Sequence, residues 1–225
     1  SAYVHRGFNH FSNNLAAYCV LIGPIYLLLV LADEPKLFRY TFLSFLFILP
    51  FVIALSNIAA LGSGTGAGFS GIGSAFFGLL PVSLFLFIHN KVSEEIEPAH
   101  GVVLFLIAAA IIAGTYSGVT AAAGILLFAV LITVYDIYQM GFDEVKEAAA
   151  GLTSMEGYFE LVMIASLLFL MSPVLLFPQD IAQGDGAVNI LSHYLGLLLG
   201  FSGPAIYLFY RRHRRQIIAG IQSGF

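Results

Sequence analysis

Charge is what this chain has least of. Only 10% of its 225 residues are Asp, Glu, Lys or Arg and 59% are apolar, against about 25% and 45–50% in ordinary soluble domains. So few charges point to a chain that lives in a bilayer. Cysteine is nearly missing too. Cys19 stands alone beside Val20 and Leu21, which rules out an intrachain disulfide and leaves the thiol a packing role. The net charge of −4 and the lack of an extended basic stretch argue against nucleic acid as a partner. There is no H-E-x-x-H, and the histidines on the outer side have no carboxylate nearby, so neither metal nor cofactor is expected. A leader with a charged start and a cleavage site is also missing, and the polar stretch ahead of the first apolar run is short. The expectation is one membrane domain over residues 1–225.

What is present is a series of apolar runs long enough for a helix to cross the hydrocarbon core, which takes about 20 residues. They predict about seven spans, near 11–32, 38–61, 69–89, 99–116, 119–138, 155–177 and 187–210. The division between the fourth and fifth rests on Gly114-Thr115-Tyr116-Ser117-Gly118 read as a turn. Barrel strands would alternate apolar and polar residues, and these runs do not, so the fold class is all-α, a polytopic membrane helix bundle.

Positive residues in short loops set the orientation, because they are retained on the cytoplasmic side. Lys36, Arg39, Lys91, Lys146, Arg211, Arg212, Arg214 and Arg215 fall on one side under this span assignment, and of the nine positive residues only Arg6 falls on the other. The prediction is a multi-pass protein of the cell membrane with its N-terminus outside and its C-terminus cytoplasmic. The acidic groups Glu94-Glu95-x-Glu97 and Asp143-Glu144-x-x-Glu147 read as solvated faces. Arg211 to Arg215 read as an anchor to anionic headgroups.

The same parity gathers chemistry at one depth. His10 and Asn14 open the first span, Ser70 opens the third, and His193 lies about two turns into the seventh, all near the outer surface. An ionisable group inside an apolar span is costly and is a functional candidate by default. His10 and Asn14, four apart, share a helix face and can both donate hydrogen bonds. The stretch from 62 to 78 holds seven glycines and four Ser or Thr residues. Its first part reads as a water-facing loop turning tightly into the third span, so that Ser70 meets the unpaired amides and positive dipole of a helix start. Gly71, Ser74 and Gly78 give the third span a small-residue face, and Gly196 and Gly200 give the seventh another. Close approach of the two would bring the Ser70 hydroxyl to the His193 imidazole, a dyad without an orienting carboxylate.

Three ordered motifs resemble the rhomboid intramembrane serine proteases: His10-x-x-x-Asn14, Gly68-Phe69-Ser70-Gly71, and His193-x-x-Gly196-x-x-x-Gly200. The resemblance implies that Ser70 is the nucleophile and His193 the general base, with His10, Asn14 and the Ser70 amide as oxyanion donors. It also implies that the substrates are transmembrane segments of other proteins, cut near their outer ends. The family usually has a helix ahead of the H-x-x-x-N segment, so the resemblance implies one upstream of Ser1. The chain also departs from the family pattern in having three spans rather than one between serine and histidine, which leaves open whether the fourth or the sixth lies beside the site. It departs again at Ser74, where the family often has an aromatic residue against the histidine. Phe76, Phe77 and Tyr194 are the expected substitutes. The competing readings are a rhomboid-like binder without catalysis and a small transporter whose helices are broken at Pro24, Pro50, Pro81, Pro173 or Pro204.

Overall fold

The helices start and stop where apolar runs meet glycine, proline or charge. The computed structural model describes residues 8–61, 70–177, 182–183, 186–187 and 190–223, without the side chains of 8–11, 13–14, 61, 182–183, 186–187 and 215–223. In chain order the elements are α1 (Phe8–Leu31), α2 (Pro35–Phe47), α3 (Leu49–Leu61) and α4 (Ser70–Lys91), then a 3₁₀ turn (Pro98–Gly101) running into α5 (Val102–Tyr116). There follow α6 (Val119–Met140), α7 (Phe142–Ser154), α8 (Tyr158–Leu176), an antiparallel pairing of β1 (Ala182–Gln183) with β2 (Gly186–Ala187), and α9 (Ile190–Ser223).

Five helical stretches are long and apolar enough to cross a membrane, or six if α2 and α3 form one bent span. Apart from the short β pairing and the turns between elements the described chain is helical, and these helices mark it as a membrane protein. The count differs from the expected seven because the described apolar stretch of α1, Leu15–Leu31, is shorter than a full span, and because the second span is bent by 43° between α2 and α3. Pro50, at the second position of α3, explains the bend: it has no N–H to give to the preceding turn, and its ring crowds that turn's carbonyl. Pro24, Pro81, Pro173 and Pro204 sit inside continuous helices.

Other boundaries follow local chemistry. The turn predicted before residue 119 is present, with Gly118 at φ 90° between α5 and α6. The predicted loop after the fifth span is instead mostly α7, a surface helix with Asp143 and Glu144 in its first turn, where carboxylates favour the helix dipole. Gly157, at φ 80°, delays the start of α8 to Tyr158. The last helix runs on past residue 210, through the arginines.

The centre is α4. It is apolar around its circumference and 89% buried over its apolar window, as a helix with no polar face should be. Phe76 sits among Tyr18 of α1 and Phe42 and Phe45 of α2, while Phe77 lies 4.6 Å from Phe169 of α8. In contrast α6 is peripheral, packs against α5, and buries only Ala129. Val130, Leu131 and Val134 on it are exposed.

One end of the bundle is held by charge. Arg211 binds Glu34 through both carboxylate oxygens at 2.7 and 2.5 Å, Arg212 pairs with Glu97 at 2.6 Å, and Lys91 pairs with Asp33 at 2.5 Å. Asn90 donates to the Ala32 carbonyl at 2.7 Å. These contacts gather the ends of α1 and α4, the Glu97 turn and the arginines of α9 at one end. Arg211 and Arg212 are thus paired within the chain, and Glu97 pairs with Arg212 while its side chain stays 44% exposed.

Candidate active site

Ser70 is the first residue of α4 and Lys91 the last. At 1.5 Å per residue this puts Ser70 about 30 Å from the charged end. His193 lies in the first turn of α9, whose arginines reach that charged end, so serine and histidine share the opposite end of the bundle.

Between α4 and α9 the backbones touch. A Cβ added to Gly196 would strike the Gly71 carbonyl and come within 3.1 Å of the Ser74 Cβ, and one added to Gly200 would strike the backbone of Ala75. On the other side, a Cβ at Gly78 would strike the Leu197 carbonyl, and one at Gly71 would lie 3.1 Å from the Ser192 carbonyl. Small residues thus interlock over two turns, the packing by which membrane helices approach most closely. Gly71, next to Ser70, is bracketed by Ser192 and Gly196, which flank His193 along the helix. Ser70 and His193 are therefore brought to one level of the seam, 6% and 2% exposed.

An aromatic side chain does lie against the histidine, but not one of those expected from sequence. The Phe177 ring is 5.4 Å from the imidazole in an edge-to-face arrangement, and Tyr194 lies 5.7 Å from Phe177 on another side. Phe76 and Phe77 face α1, α2 and α8 instead. Phe177 caps the C-terminus of α8, and Leu176 beside it would lie 3.3 Å from a Cβ on Gly73. The end of α8, the sixth predicted span, thus lies beside the site; α5, the fourth, starts near Pro81 toward the charged end and brings its last residue, Tyr116, near Tyr194.

Ser74, one turn below Ser70, is fully buried, and its Oγ has no hydrogen-bond partner among the described residues. His10 and Asn14 lie on the first two turns of α1, but their side chains, and Gly68 altogether, fall outside the described residues.

Two polar residues near the site went unnoticed in the sequence. Asn57 of α3, 2% exposed, donates from Nδ2 to Ser192 Oγ at 2.9 Å. Ile53, one turn before Asn57, would lie 2.7 Å from a Cβ on Gly71. The cost of a carboxamide in an apolar span, the argument that singled out His193, would have found Asn57 as well.

A cavity of about 470 Å³ lies elsewhere, at the charged end, where Glu34, His89, Asn90, Glu97, Arg211 and Arg212 are among its lining residues. Among the described residues no group of three or more His, Cys, Asp or Glu is placed to hold a metal ion.

Compared with protein-family models, with curated proteins and with solved structures, the chain matches none.

Proposed function

We propose that the chain is an intramembrane serine endopeptidase that cuts transmembrane segments of other proteins. One observation carries the reading: the glycine-lined seam of α4 and α9 brings a helix-start serine and a membrane-buried histidine to the same level. An ionisable imidazole in an apolar span is costly and is a functional candidate by default.

In this reading His193 accepts the Ser70 proton as Oγ attacks the scissile carbonyl carbon, and the first-turn amides of α4 meet the developing oxyanion. The imidazolium then protonates the departing amine as the C–N bond breaks, leaving an acyl ester on Ser70. Water, deprotonated by His193, attacks that ester; the proton returns to Ser70 and the new carboxyl end leaves. His10 and Asn14 are assigned to the oxyanion by the resemblance alone.

Lys91, Arg211 and Arg212, which lie together at the charged end of the bundle, favour a cytoplasmic location for it. The site then opens to the outside, from which water reaches Ser70, and the full topology is seven spans with α2 and α3 as one and α1 completing the count.

The test is cleavage in liposomes of a transmembrane substrate whose helix is weakened by Gly or Pro near its outer end. Cleavage near that end by the purified chain is expected; an intact substrate beside folded protein removes the reading.

Phe177 supplies a finer prediction in the same assay. Phe177→Leu keeps apolar bulk but removes the ring against His193, and turnover is expected to fall about tenfold because a misoriented base is a poor one. Phe177→Tyr should recover most of it. Equal loss in both variants would show that volume, not the ring, matters there.

A further inference from the structure

Asn57 is tied to the site by half of its side chain only. Its Nδ2 is held by Ser192, the residue before His193, while its Oδ1 is buried with no partner among the described residues. Turning the amide over changes which end is spare but not that one is. A hydrogen bond between α3 and α9 needs a single polar group at this position, and a hydroxyl would supply it without leaving a bare carbonyl, which is costly to bury. The contacts of Gly71 with Ile53 and of Asn57 with Ser192 set that carbonyl beside the turn of α4 that begins at Ser70.

A transmembrane segment that is to be cut must be unwound around the scissile bond. Its freed N–H groups then need acceptors, and hydrocarbon offers none. The geometry points to Asn57 Oδ1 as the acceptor for one main-chain N–H of the substrate, next to the bond that Ser70 attacks. Ser192 holds the other end of the amide. Asn57 in this role binds extended peptide backbone and does not read side chains. The assignment rests on the protease reading above.

The test compares two reagents on the full chain in liposomes: the transmembrane substrate, which carries main-chain N–H groups, and a small fluorophosphonate, which carries none. In Asn57→Leu, kcat/KM for the substrate is expected to fall about tenfold. Labelling of Ser70 by the fluorophosphonate should stay within about twofold of wild type. Substrates with single ester-for-amide replacements near the scissile bond locate the bond made. At one position the replacement should cost wild type about tenfold and Asn57→Leu almost nothing, the signature of a shared interaction. Should Asn57→Leu not fold, Asn57→Ser keeps a hydroxyl for Ser192 without the carbonyl, and the same pattern is expected.

A parallel loss of labelling would make Asn57 a positioning residue acting on His193 through Ser192, and would overturn the assignment. Unchanged kcat/KM, or no ester position whose cost vanishes in the variant, would overturn it too. Wild-type protein that neither labels nor cleaves defeats the protease reading itself, and this inference with it, before any Asn57 variant is measured.

Discussion

Ser70→Ala is expected to leave no measurable cleavage of the transmembrane substrate, a loss of roughly 10⁴-fold or more, with the protein still folded. The change deletes one hydroxyl from a residue whose neighbours are held by the glycine seam, so the packing around it survives. His193→Ala should be as damaging, and the double variant no worse than either, because nucleophile and base act as a unit. Ser74 is the informative exception. It lies one turn below Ser70 with a buried, unpartnered hydroxyl. Cleavage retained in Ser70→Ala and lost in Ser74→Ala would move the nucleophile to that position.

The second large effect is expected where α9 crosses α4. At Gly200 even a Cβ would collide with the backbone of Ala75, so Gly200→Val must push the two helices apart or unfold them. Overpacking of this kind typically costs about 1–3 kcal/mol, and here it also separates Ser70 from His193. The thermal unfolding midpoint in detergent should drop by several degrees or the protein fail to fold, with cleavage lost in either case. Gly23, Gly124 and Gly203 have nothing within 4 Å of an added Cβ, and alanine at each should be tolerated. If Gly200→Val were as stable and active as wild type, the close seam would not be what sets the site.

Much of the arrangement could be read from the sequence because membrane helices leave two plain signatures. Long apolar runs pointed to a membrane helix bundle, of which five or six described spans are long and apolar enough to cross, and the turn before residue 119 followed from glycine, whose freedom at positive φ the chain uses at Gly118. The seam could be foreseen because only small side chains allow backbones to touch, and Gly71, Ser74 and Gly78 face Gly196 and Gly200 at helical spacing. Side-chain neighbours across other helices were not legible. Phe177 is one of 21 phenylalanines, and nothing in the periodicity tells which ring meets an imidazole. The bend between α2 and α3 was half legible: Pro50 stood out, but four other prolines sit in unbroken helices, where neighbouring packing absorbs the missing hydrogen bond. The length of α9 was hidden because Arg211 and Arg212 look like the end of a span until Glu34 and Glu97, far away in sequence, are seen to pair with them.

In the proposed reaction the His193 imidazole activates the Ser70 hydroxyl, and covalent labelling tests that most directly. Folded wild-type protein treated with a fluorophosphonate, digested and examined by mass spectrometry should carry the adduct on Ser70, at a rate that falls about a hundredfold or more in His193→Ala. Folded wild type without an adduct on Ser70, or labelling of Ser70 that proceeds equally fast without His193, would contradict it.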